Sequence, residues 1–344
     1  MRSRSPCRQG GLVLVAFVAF LLVAVGGVLV SAFSLQKARM SRERTTMVAL
    51  AEAREALVAW SVSHPEHPGM LPYPDRGNDG NYDGNSDCVT AAPTPEQLLG
   101  RLPWLGQTNP CPFPHSGLMT ALRDSSGQVL WMAVSRNLVY VAPGAYPEIH
   151  LALRDVPAAA PWMRVVDGRG GTLASRVAVV LIAPEGVTGS QARVGGAPAV
   201  ASYLDPLAPH DHADNRDPTF IAAVPQEGFN DRIVYLTIED WIRLLLPRVI
   251  FEVRRTLEGY RRVHGVYPEF ASPGGDGVCA TGTLDGFLPL SDGDCGAGNA
   301  LGGFLPPGQV GRWLLSWGPD LGYRRDTPER AILDIDGVSH VITP

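Results

Sequence analysis

The sequence carries none of the short motifs that mark common catalytic machinery. It has no G-x-S-x-G, no H-E-x-x-H, no P-loop and no G-x-G-x-x-G after a candidate strand. Cysteine is scarce, five in 344 residues, and no two of them form a C-x-x-C pair. A four-cysteine zinc site is therefore disfavoured. No acidic residue precedes Glu43, and no charge of either sign lies between Leu12 and Leu35. With 29 Lys and Arg against 34 Asp and Glu, the net charge is −5, which gives a nucleic-acid partner no electrostatic support. These absences argue against an enzyme and leave packing or binding as the expected mode of action.

Glycine (38) and proline (30) are plentiful, which excludes an all-helical bundle and a strict doubly wound α/β fold. Apolar residues make up 45% of the chain, enough for a folded core. A chain of 344 residues accommodates one large domain or two ordinary ones.

The charge-free run Leu12–Leu35 follows a leader containing Arg2, Arg4 and Arg8. About 20 apolar residues cross a bilayer core, and a basic leader favours a cytoplasmic N-terminus with the remainder exported. The run is thus expected to be a transmembrane helix, with the protein single-pass in a bacterial inner membrane and its bulk periplasmic. Lys37, Arg39, Arg42 and Arg44 on the far side weaken that asymmetry. A cleaved secretory signal is the alternative. Val30-Ser31-Ala32 offers small residues to signal peptidase, although the run is longer than the usual apolar core of about 7–15 residues. No helix breaker appears between Gln36 and Ser63, and Met40, Met47, Leu50, Ala53, Leu57 and Trp60 recur near helical spacing. One helix is expected from about Leu12 to Ser63, roughly 78 Å at 1.5 Å per residue.

A basic leader, Gly10-Gly11, an apolar helix and then an amphipathic one resembles the layout of type IV pilins and pseudopilins. The likeness extends to Glu55–Trp60 and to Pro68–Asp75, a G-x-x-P-x-P-D turn after the helix. Arg101–Trp104, Leu130–Ser135 and Phe229–Arg232 also resemble large pilin-like proteins. The resemblance implies an α+β fold in which a long N-terminal transmembrane helix continues into a pilin-like domain with an antiparallel β-sheet. It implies cleavage by a prepilin peptidase between Gly11 and Leu12. It also implies a structural role in a type IV pilus or type II secretion assembly, with other pilin or pseudopilin subunits and the inner-membrane assembly platform as partners. Most pilins carry a glutamate at the fifth mature position; here that position is Ala16, which argues against a major subunit and suits a minor one.

The stretch from Thr237 to Tyr267 repeats the helix-and-turn logic. Ile238-Glu239-Asp240 places acidic residues at a helix start, and Pro247 is expected to kink or divide the helix. Arg254, Leu257, Tyr260 and His264 echo Arg54, Leu57, Trp60 and His64, so the pilin-like module reads as duplicated. The expected organisation is a leader over 1–11, a transmembrane helix over 12–35, a first module over 36–235 and a second over 236–344. Strands are expected at Gln128–Val134 and Leu138–Val141 as a hairpin, at Arg176–Ala183 as a buried central strand, at Arg312–Trp317, and as a hairpin turning at Asp336-Gly337.

Cys7 sits in the leader; Cys88 with Cys111 and Cys279 with Cys295 form two local pairs, read as one disulfide per module. The run Asp75, Asp79, Asn81, Asp83, Asn85 and Asp87, with glycines between, is the densest set of oxygen ligands and suits calcium. A polar turn rich in Asx and Gly explains the same pattern. A sparser set is Asp276, Asp285, Asp292 and Asp294. Two other functions stay open. One is a secreted or anchored binding module ordered by calcium, with a cleaved signal peptide. The other is an exported hydrolase built on His210, His212 and Asp214.

Overall fold

The first helix, α1 (Gly10–Ser63), runs unbroken until His64-Pro65, where the residue before a proline leaves the helical region. The computed structural model describes residues 10–77, 82–89, 91–106, 111, 117–141, 146–147, 149–154, 158, 160–189, 191–194, 198–271, 286–290 and 300–344; within α1 the side chains of 10–14, 23–32 and 35 are excepted.

The strands after α1 are β1 (Leu99–Arg101), β2 (Trp131–Val134), β3 (Met163–Asp167), β4 (Thr172–Ala183), the short pair β5 (Pro206–Leu207) and β6 (His210–Asp211), β7 (Thr219–Ala222) and β8 (Arg232–Thr237). Six of them form a sheet ordered β1-β2-β4-β3-β7, with β8 added to β4. β4 is the hub. β8 pairs along one edge from Val177 to Ala183, while β3 and then β2 pair along the other. From Val177 to Ala183 every β4 residue is buried, because both faces are covered. Val179, Leu181 and Ala183 pack toward α1 and the next helix; Val177, Val180 and Ile182 pack toward Trp131, Tyr203 and Phe220. This two-sided cover explains why the strand reads as an uninterrupted apolar run.

Helix α2 (Ile238–His264) follows β8 directly. Thr237 and Asp240 form a capping box at its start, and Gly265 closes it with φ 78°. Pro247 lies inside α2, which continues through it as one element. Then come β9 (Gly286–Phe287), α3 (Gln309–Trp317), β10 (Gly322–Thr327), β11 (Arg330–Ile335) and β12 (Val338–Ile342). These strands make a four-stranded antiparallel sheet, β12-β11-β10-β9. Asp336 (φ 51°) and Gly337 (φ 76°) form the hairpin turn between β11 and β12. One buried cluster contains Leu50 and Leu57 of α1, Trp241 and Leu257 of α2, Trp317 of α3 and Leu333 of β11.

Several expectations are corrected. Among the described residues no helix is long and apolar enough to cross a membrane. The transmembrane element of the expected fold and the single-pass inner-membrane placement drawn from it both fall with that finding. The first sheet is mixed rather than antiparallel, because β3 and β7 run parallel. Arg312–Trp317 belongs to a helix: Val310, Trp313, Leu314 and Trp317 are buried at i, i+3, i+4 and i+7 spacing. β2 does not form a hairpin with residues 138–141; it pairs with β1 and β4, and Val139 makes only a bridge to Leu71.

Candidate functional site

The long helix divides into two parts by what covers it. In the C-terminal part Thr46, Ala49, Leu50, Ala53, Leu57 and Ser61 are buried. They recur on one face at helical spacing and lie against β4, β8 and α2. N-terminal to Thr46, every described side chain of α1 is exposed. Phe17 is 61% and Phe20 74% exposed, and Val15, Leu22, Phe33 and Met40 are similarly bare. Single exposed apolar residues need no explanation, but a run of them on one element marks an interaction surface.

A polar clasp marks the boundary between the two parts. Thr46 donates its hydroxyl to Glu185, and its Oγ1 accepts the Ser125 N–H at 3.1 Å. Ser125 and Ser126 hydroxyls donate to the other Glu185 oxygen at 2.9 and 3.2 Å. Asp124 Oδ2 accepts the Glu185 N–H at 2.7 Å, holding Glu185 in a left-handed conformation of φ 50°. One turn earlier, Arg232 on β8 pairs with Glu43 at 2.8 Å. Beside the clasp is a cleft of about 620 Å³ with Arg39, Arg42, Glu43 and Glu185 in its walls.

The turn after α1 is held by glycines that no other residue could replace without movement. Gly69 has φ 96°, and a Cβ there would sit 2.8 Å from Leu245; its carbonyl accepts the Trp241 indole N–H at 2.9 Å. Gly84 has φ 91°, and a Cβ there would meet the Trp104 ring at 2.3 Å.

Of the acidic loop, Asp75, Asp83, Asn85 and Asp87 are described; Asp79 and Asn81 lie outside the described residues. The carboxylates serve the loop itself. Asp83 accepts both the backbone and side-chain N–H of Asn85 at 2.8 Å. Asp87 Oδ2 accepts the Arg76 N–H at 2.6 Å, and Asp75 Oδ2 accepts that of Gly84 at 3.0 Å. Asp75 is 1% exposed, and its Oδ1 has no hydrogen-bond partner among the described residues. Burial pushes its carboxyl up to about 8, with the charges of Asp87 and Asp83 adding to the effect. Among the described residues no group of three or more His, Cys, Asp or Glu side chains is placed to hold a metal. Cys88 and Cys111 are joined by a disulfide that closes this loop region; Cys279, Cys295 and the second acidic set, Asp276, Asp285, Asp292 and Asp294, lie outside the described residues.

The structure does not assemble His210, His212 and Asp214 into a reactive group. His212 is fully buried: Nδ1 is 2.8 Å from Asp231, and Nε2 accepts the Ile221 N–H at 2.8 Å. Both ring nitrogens are thus occupied, which fixes a neutral ring donating from Nδ1. Burial raises the Asp231 carboxyl to about 6. His210 pairs instead with Asp217, and Asp214 caps its own turn at the Arg216 N–H. Asp205 joins the same buried knot, accepting from Thr188, Gln191 and the Asn230 N–H. His64 and His67 lie at the end of α1, both lowered to about 4 by burial; His67 stacks on Tyr146 with centroids 3.5 Å apart. The clasp at Glu185 and the Asp205–Asp231 knot were invisible in the sequence, because each joins residues far apart in a region without periodicity. Gly11 and Leu12, the expected cleavage positions, lie in the first turn of α1.

No family model, no curated protein and no solved structure matches the chain.

Proposed function

We propose that this protein is a pilin-like structural subunit, of the minor pseudopilin kind, that acts by packing its long helix against the helices of other subunits. The observation that carries the reading is the division of α1. Its C-terminal third is anchored on the sheet through Leu50, Ala53 and Leu57, while its N-terminal part presents Phe17, Phe20 and Leu22 to solvent. A helix docked at one end projects its other end as a rigid rod, and an uncovered apolar rod gains free energy by burying that surface against a partner. The globular part then serves to hold the rod and to present loops to neighbouring subunits. The resemblance of the leader, the Gly10-Gly11 pair and the G-x-x-P-x-P-D turn to pilins supports the same role, with a prepilin peptidase acting between Gly11 and Leu12.

The test compares the full chain with a variant carrying Phe17→Ser, Phe20→Ser and Leu21→Ser. The reading expects the parent chain to associate, with itself or with co-expressed pilin-like subunits, and the variant to remain monomeric at unchanged circular dichroism. Equal association of both would refute it.

A further inference from the structure

One side of α3 faces a cavity. Gln309, Arg312, Trp313 and Ser316 line it at i, i+3, i+4 and i+7 spacing; His67, from the turn after α1, and Tyr146-Pro147 complete the wall. Its volume is about 300 Å³, at the lower end for small-molecule sites. Two of its donors are already committed. The Trp313 indole N–H donates to the Ile149 carbonyl at 3.1 Å, and the Ser316 hydroxyl donates to the Trp313 carbonyl at 2.7 Å. Arg312 differs. Gln309 Oε1 accepts its Nε–H at 2.9 Å, which steadies the guanidinium. The edge carrying both Nη groups has no partner among the described residues. The same bond identifies the oxygen of the Gln309 amide, so its NH2 remains to donate.

No carboxylate belongs to the described lining. Glu66 stands 3.9 Å from His67 Nε2, beyond hydrogen-bond reach, with its side chain 58% exposed. His67 is 7% exposed, and its Nε2 is buried with no hydrogen-bond partner among the described residues. Burial first, and then the charge of Arg312, keep its ring neutral by lowering it to about 4. The cavity thus holds one permanent positive charge, on Arg312, beside a buried polar atom that lacks a partner.

We propose that this cavity binds a small organic carboxylate, with its acid group on the Nη edge of Arg312 and its apolar part against Trp313 and the Tyr146-Pro147 wall. The site lies on the globular part and stands whether or not α1 packs against other subunits. The planar fork of a guanidinium matches a carboxylate with two parallel hydrogen bonds. The Gln309 NH2 supplies a further donor, and the neutral His67 ring another in the tautomer with its proton on Nε2. One positive charge balances a carboxylate monoanion; a phosphate monoester, at about −1.5 to −2, is left undercompensated. The aromatic faces favour a ligand with a ring or a short apolar arm, because the Trp313 ring is held in place by its bond to Ile149.

The test titrates the full chain, isotope-labelled in its histidines, with phenylacetate and follows the ring signals of His67 by nuclear magnetic resonance. Those signals are assigned by their loss in His67→Gln. The proposal expects a saturable shift. Arg312→Gln should weaken binding about ten-fold at unchanged circular dichroism, and Arg312→Lys, which keeps the charge but not the fork, should fall between the two. On the parent chain, phenylacetamide, of the same shape without the charge, should bind about as weakly as phenylacetate binds Arg312→Gln. That comparison needs no variant and holds even if Arg312→Gln misfolds. No saturable shift at tens of millimolar, or equal affinity for phenylacetate and phenylacetamide, overturns the proposal. So does equal affinity of the parent and a folded Arg312→Gln chain. Tighter binding of phenyl phosphate than of phenylacetate overturns the carboxylate as ligand class.

Discussion

Two truncations on the same helix should behave in opposite ways. Leu57 is fully buried between α1, the sheet and α2. Leu57→Ala removes its transfer free energy and leaves a cavity, together about 2–5 kcal/mol of stability. Phe20 is 74% exposed. Phe20→Ala should change the stability of the isolated chain by less than about 0.5 kcal/mol. In association the order reverses. Covering a phenylalanine that is now bare yields about 1–2 kcal/mol, so Phe20→Ala should weaken subunit contact roughly 5- to 30-fold. Urea titration of the monomer followed by circular dichroism reads the first quantity; sedimentation across a dilution series reads the second. Equal loss of monomer stability in the two variants would show that the N-terminal part of α1 is covered within its own chain, and the reasoning would fail.

Other consequences follow from the clasp, the acidic loop and the disulfide. Thr46→Val leaves a Glu185 oxygen and the Ser125 N–H without their partner, which should cost about 1–3 kcal/mol in the same titration. Asp75, raised to about 8, stays protonated in the fold while the unfolded chain ionises above its ordinary carboxylate range. Folding stability is therefore lost as pH rises from about 4 to about 8, at up to about 1.4 kcal/mol per unit. Asp75→Asn should remove that dependence, gaining on the parent steadily across the interval; parallel pH profiles would contradict the burial argument. Breaking the Cys88–Cys111 bond, which spans 23 residues, with Cys88→Ser and Cys111→Ser should cost about 3 kcal/mol.

What the sequence made legible was local. The end of α1 is written in His64-Pro65, α2 in Thr237 and Asp240 at one end and Gly265 at the other, and the last hairpin in Asp336-Gly337. β4 was legible because seven consecutive buried residues leave no room for a polar one. The misses came where tertiary context decides. Arg312–Trp317 contains enough tryptophan and leucine to pass for a strand, and only the spacing of Val310, Trp313, Leu314 and Trp317 reveals a helix. The parallel pairing of β3 with β7 depends on a crossover that no local pattern encodes. In the acidic loop the sequence supplied many oxygens, but the fold directs those of Asp83 and Asp87 at the backbone N–H groups of Asn85 and Arg76. The hydrophobic run at the start suggested a bilayer, and the described helix does not meet that requirement. The burial boundary at Thr46, on which the functional reading turns, depends on Glu185, 139 residues away.

The central claim is that the exposed N-terminal part of α1 is covered by the helix of another subunit. A photo-activated cross-linking residue placed at Phe20 in the full chain, expressed together with its native partners, tests it most directly. Phe251 on α2, 57% exposed but isolated, is the control position. The account predicts an adduct at position 20 to a helical segment of a subunit, and none at position 251. No protein adduct at position 20, or equal adducts at both positions, would contradict it.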